Sequence, residues 1–215
     1  MGLLDRLAPR KSDPDGSIQS SSGLADDPVF ATKALRKFLS CLTSRESPAL
    51  LDLGPVVGSN VSFFGEQLGC KIFVEDIFAD LDRHVREGKS DAFPAFLGKR
   101  FPQEPGSVDG ILCWDLIDYL DRPSAQALAT QLMRVLRPDG ALLAFFGAAQ
   151  ARLTTYTKFI VADETNLRHR AYPAARGHQA ILPNRDIIRL FPELRVSDSF
   201  LLQNNLREIL FRKTT

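Results

Sequence analysis

Apolar positions along this chain switch repeatedly between helical spacing and short continuous runs, and that switching predicts the fold class. Phe30, Leu35, Phe38, Leu39 and Leu42 recur at helical spacing, which predicts a helix over 29–44. The run from Pro48 to Leu53 is short and nearly all apolar, as in a strand buried on both faces. Ser59 to Leu68 reads as a helix, with Ser59 placed to cap it and Gly69 to close it. A strand over 71–74 and a helix over 77–86 follow. Residues 89–107, broken by Pro94, Pro102 and Pro105, predict no more than a short strand at 95–97. Val108 to Trp114 is a buried strand, and Ser124 to Leu136 is an amphipathic helix with Ala125, Leu128, Leu132 and Leu136 on one stripe. Arg137-Pro138-Asp139-Gly140 is a turn, and 141–146 is an apolar strand. A short helix over 185–190 precedes an antiparallel pair, 194–202 and 206–212, joined across Asn204-Asn205. Strands alternating with helices predict an α/β domain. Its Rossmann-like, doubly wound and mostly parallel sheet has seven strands and ends in a C-terminal antiparallel hairpin.

Composition adds boundaries. Residues 8–28 are rich in Ser, Asp, Gly and Pro, so residues 1–28 are expected to be a disordered tail before one domain over 29–215. Met1 to Leu7 forms a small apolar patch, read either as a frayed terminus or as a tethered peptide that folds on a partner protein. The formal net charge of +1 gives no field that recruits nucleic acid. Cys41, Cys70 and Cys113 are odd in number and lack metal spacing, which predicts no metal and a reducing cytoplasm. No apolar run is long enough for a transmembrane helix, and the oligomeric state is not legible.

The chemistry concentrates where the first apolar run ends. Asp52 is followed by Gly54, Pro55, Val56, Val57 and Gly58. A strand that ends in an acid and a glycine-bearing turn brings the backbone close to a ligand at the sheet's carboxyl edge. Glu75 and Asp76 end the next strand at nearly the ~20-residue spacing of the ribose-binding acid in a dinucleotide site. The turn is not GxGxxG, however, and Pro55 removes one N–H that a pyrophosphate would use.

Three stretches together resemble the class I S-adenosylmethionine-dependent methyltransferases, of type 11 character: Leu51-Asp52-Leu53-Gly54 through Gly58; Glu75-Asp76; and Val108 to Asp115 with Asp118-Tyr119-Leu120, followed by Leu132 to Gly140. The resemblance covers about 48–147 and implies S-adenosylmethionine as cofactor. It implies that Asp52, Gly54, Pro55, Gly58 and Asn60 surround the methionine part. It places Glu75 or Asp76 on the ribose, with Glu75 preferred by strand parity, and makes Trp114 and Asp115 a wall of the site. Tyr119 stands where relatives often carry His. Two departures stand out. Val56 replaces a usual third glycine, and no acid lies near Leu97 to Arg100, where the family often places an adenine contact. The rival expectation is a catalytically inactive scaffold that binds a protein partner, its pocket narrowed by Val56.

Residues 151–183 match the family least and are expected to be a lid. Over 151–189 seven Lys or Arg face three acids, which predicts either an acidic partner face or an anionic acceptor met by Arg168 and Arg170, with Tyr156 and Tyr119 beside it. Asp115, Asp118 and His169 are the candidates for moving a proton.

Overall fold

A computed structural model describes residues 27–148, 155–173 and 181–214. Nine strands and six α-helices are described within them. In chain order these are β1 (Val29–Ala31), α1 (Leu35–Thr43), β2 (Ala49–Asp52), α2 (Gly58–Val61), β3 (Lys71–Val74), α3 (Ile77–Arg86), α4 (Phe93–Arg100) and β4 (Val108–Trp114). There follow α5 (Arg122–Val135), β5 (Leu136–Gly147), β6 (Thr155–Asp163), β7 (Asn166–Pro173), α6 (Asn184–Leu190), β8 (Leu194–Leu201) and β9 (Leu206–Lys213). The main sheet has the order β3-β2-β4-β5-β9-β8. Strands β3, β2, β4 and β5 run parallel, while β9 is antiparallel to both β5 and β8. A second, antiparallel sheet has the order β1-β7-β6.

The main sheet is covered on both faces, and its strands divide their residues between two cores by strict alternation. Leu51, Ile111, Leu142 and Phe146 join α3, α4, α5 and α6 on one face. Leu50, Leu112, Leu143 and Phe145 join α1 on the other. Close packing on the α1 face depends on Gly110, since a Cβ there would lie 2.5 Å from the Leu42 side chain and 2.9 Å from Phe38. The chain leaves β2 toward β3 on one side and later returns as β4 on the other. The carboxyl ends of β2 and β4 therefore flank the topological switch point, where open α/β sheets bind ligands.

Several expectations change. The helix expected over 29–44 begins only at Leu35, because residues 29–31 pair with β7 instead. Spacing alone cannot reveal a strand partner so distant in sequence. Pro28 and Asp27, assigned to the tail, also contact that hairpin: the Pro28 carbonyl accepts from His169 N–H at 2.9 Å, and Asp27 pairs with Arg170 at 2.7 Å. Residues 1–26, including the Met1 to Leu7 patch, lie outside the described residues. The segment at 95–97 is helical, not a strand; Phe93 and Leu97 are four apart and both buried in α4. The main sheet thus has six strands, with β3 at its edge. Ser59 does not cap a helix: α2 starts at Gly58 without a side-chain cap and runs into a π-helical turn over Ser62–Gln67. The turn at 137–140 lies inside β5 as a bulge between the pairs Val108↔Leu136 and Gly110↔Ala141, with Asp139 at φ +60°.

Candidate functional site

Asp52 ends β2 buried, and its Oδ1 accepts twice: from Gly54 N–H at 2.9 Å and from Trp114 Nε1–H at 2.6 Å. Burial pushes the Asp52 carboxyl up to about 6, against the downward pull of those two donors. Trp114 ends β4 with φ at +51°, a region that bulky residues seldom occupy. That bend lays the indole over the glycine turn, so that a Cβ on Gly54 would sit 2.8 Å from indole Cδ1 and Nε1.

The indole is itself covered. Phe159 of β6 stacks on Trp114 with centroids 5.1 Å apart and planes 4° apart, and Phe145 of β5 stacks on Phe159 at 4.9 Å. Asn60 fixes β6 in that place. Its Nδ2 donates to the Phe159 carbonyl at 2.9 Å and its Oδ1 accepts from Val161 N–H at 2.8 Å, so one buried amide imitates a neighbouring strand. The β6–β7 hairpin therefore lies across the switch point, with Trp114 beneath it.

Beside the covered crevice a groove of about 670 Å³ remains open, lined by Pro55, Val56, Asp76, Phe78, Tyr156 and Lys158 among others. Phe78 and Tyr156 stack on its wall at 4.2 Å. Asp76 caps α3 through Oδ1, which accepts from Ala79 N–H at 3.0 Å. Val56 is 65% exposed and forms a rim. The narrowing expected from Val56 is not there; Trp114 fills the space instead.

The other sequence-derived residues divide into two groups. Glu75 turns to Arg100 and Gln103, and Arg100 Nε also donates to Asp80 at 2.8 Å. Glu75 is therefore held by α4 and the loop after it, and it does not line the groove. Arg170 pairs with Asp27, which anchors the approach to β1. His169 is wedged between Phe30 at 4.6 Å and Phe159 at 4.8 Å, and burial lowers it to about 4, so it is neutral at pH 7. Gly58 has open space around its Cα.

Asp115, Asp118 and Tyr119 form a second buried cluster at the carboxyl end of β4. Asp115 accepts from Tyr119 and from the Thr157 backbone, and burial with the nearby Asp118 pushes it well above the usual carboxylate range. Asp118 Oδ2 accepts from Gly147 N–H at 2.6 Å; burial raises its carboxyl to about 7 despite that bond and the Arg207 charge. Oδ1 of each acid is buried without a hydrogen-bond partner among the described residues. No group of residues suited to a metal ion occurs among the described residues. No described helix is long and apolar enough to cross a membrane.

Sequence reasoning missed Phe159 and Phe78, and it reached Lys158 only as one of the basic residues of 151–189. The alternation Tyr156, Lys158 against Phe159, Val161 was a usable strand signal within the stretch read only as a lid.

The sequence matches no family model and no curated protein. Solved structures do resemble it. The PH0226 protein of Pyrococcus horikoshii shares 16% identity over 84% of this chain and 88% of its own, with a TM-score of 0.50. The 1,6-didemethyltoxoflavin-N1-methyltransferase of Burkholderia thailandensis, solved with S-adenosylhomocysteine, shares 15% identity over 85% and 79%, with a TM-score of 0.47. A SAM-dependent methyltransferase of Aquifex aeolicus shares 13% identity over 84% and 89%, at 0.44. What this chain has in common with the Pyrococcus horikoshii structure is its architecture, a Rossmann-like α/β fold with a mostly parallel main sheet.

Proposed function

We propose that this chain is an S-adenosylmethionine-dependent methyltransferase acting on a small-molecule acceptor. The observation that supports it is the open groove beside the covered switch point, bounded by Pro55 and Val56 on the glycine turn and by Asp76 and Phe78 at the start of α3. In this reading Asp76 accepts from the ribose hydroxyls, because it faces the groove while Glu75 is committed to Arg100. Phe78 and Tyr156 offer apolar surface to the base. The nucleoside end of the cofactor fits these residues; the methionine end fits only once the indole of Trp114 has moved. The cofactor, when bound, supplies an electrophilic methyl group.

The protein's contribution is alignment and dryness. The β6–β7 hairpin excludes water from the switch point, and Asn60 sets its position. In this reading Asp118, whose carboxyl burial raises to about 7, is the candidate for taking an acceptor's proton, although it does not line the groove. The anionic acceptor loses part of its basis, since Arg170 is bound to Asp27. A cytoplasmic site of action is part of the same proposal.

A second reading is favoured by one observation, the indole packed over Gly54: a methyltransferase-fold scaffold that does not bind the cofactor and serves as a protein-binding module. Thermal unfolding with S-adenosylhomocysteine separates the two. Ligand at 100 times Kd adds about 2.7 kcal/mol. The enzyme reading expects that shift, expects Asp76→Asn to remove it, and expects Glu75→Gln to keep it. No shift at millimolar ligand removes the enzyme reading.

A further inference from the structure

Resting on the reading of the groove as a nucleoside site, we infer that Trp114 is a specificity-determining residue that sets the site against the amino-acid tail of its ligand. The groove then takes an adenine nucleoside with a short uncharged 5′ substituent in preference to one with a methionine-like tail.

Two halves of one site carry this inference, one open and one filled. On the open half, Pro55, Asp76, Phe78 and Tyr156 line a volume of about 670 Å³ that needs no rearrangement to receive a ligand. On the filled half, the indole lies so close to the glycine turn that even a methyl on Gly54 would meet it at 2.8 Å. A tail laid along that turn must first displace the indole. Displacement breaks the 2.6 Å bond to Asp52 and leaves a buried carboxyl short of a donor. It also unstacks Phe159, and Phe159 belongs to a strand held by both hydrogen bonds of Asn60. A ligand that ends at the 5′ thioether requires none of these changes.

The backbone agrees. Trp114 is held at φ +51°, so the end of β4 is bent in the very place that delivers the indole to the crevice. Loss of a buried hydrogen bond to a carboxyl group corresponds to roughly tenfold or more in affinity. Trp114 would then set how tightly the full cofactor is held.

The test is isothermal titration of the full chain with 5′-methylthioadenosine and with S-adenosylhomocysteine. The expected result is at least tenfold tighter binding of methylthioadenosine by the wild type. In Trp114→Ala the ratio closes or reverses, chiefly through tighter binding of S-adenosylhomocysteine. Trp114→Phe keeps the ring stack and loses the N–H; a partial closing of the ratio is expected, and this variant decides if circular dichroism finds Trp114→Ala unfolded. Equal affinities in the wild type, or a ratio unmoved by the folded variants, overturn the role of Trp114 and leave the groove reading intact. Failure of both nucleosides to bind the wild type and the folded variants overturns the groove reading, and this inference falls with it.

Discussion

Replacing Asn60 by Ala tests whether the hairpin over the switch point is held by one side chain. The substitution removes two hydrogen bonds, to the Phe159 carbonyl at 2.9 Å and from Val161 N–H at 2.8 Å. Both backbone groups belong to β6, and the amide that served them is buried. Leaving a buried backbone group unsatisfied costs about 1–3 kcal/mol, and water entering the vacated space recovers part of that. The hairpin's opening free energy should therefore fall by about 2–4 kcal/mol. At tenfold per 1.4 kcal/mol, amides of β6 and β7 should exchange roughly 30- to 1,000-fold faster. Native-state hydrogen exchange reads this element by element. Amides of β2, β4 and β5 should follow only the smaller global change measured by urea unfolding. Exchange in β6 within twofold of wild type would refute the reasoning, since the hairpin would then be held by its ring packing and by β1 alone.

Two further outcomes follow from the same geometry. Gly54→Ala places a Cβ 2.8 Å from the indole and 3.2 Å from Asp52 Oδ1, so it should lower stability by about 1–3 kcal/mol in urea unfolding; in a Trp114→Ala background most of that loss should vanish, and an undiminished loss would place the conflict elsewhere. Stability should also rise on acidification from pH 8 to pH 6. Asp52 at about 6 and Asp118 at about 7 both lie above the unfolded value of 3.8, so the folded state binds more protons in this window; Asp115, also raised, adds in the same direction. Asp118 alone contributes on the order of 1 kcal/mol across those two units, and Asp52 less than half of that. His169, lowered from 6.5 to about 4, opposes them by somewhat less than about 1 kcal/mol, because the unfolded chain binds its proton first. Over Asp118, Asp52 and His169 the gain is on the order of 1 kcal/mol, to which Asp115 adds, read as a higher urea midpoint at pH 6, and His169→Phe should enlarge it. A midpoint that falls over this interval would contradict the burial of the three acids.

The pattern of apolar residues determined the parallel sheet, because a strand buried on both faces and an amphipathic helix each have a local signature. Leu50 and Leu51 announce the two faces of β2 by adjacency alone. The glycine turn after Asp52 and the acids after β3 were legible for the same reason: both depend on neighbours in sequence. Three decisions belonged to the tertiary structure. Which of Glu75 and Asp76 faces the groove depended on Arg100, contributed by a helix in a stretch whose prolines predict no more than a short strand. That residues 29–31 form a strand depended on β7, which supplies their hydrogen bonds. That the crevice is filled by Trp114 rather than narrowed by Val56 depended on a left-handed bend at the end of β4 and on Phe159 arriving from a distant hairpin. Periodicity reports which face of an element is apolar. It does not report which remote side chain occupies the space that a turn leaves open, since that is settled by packing among segments far apart in the chain.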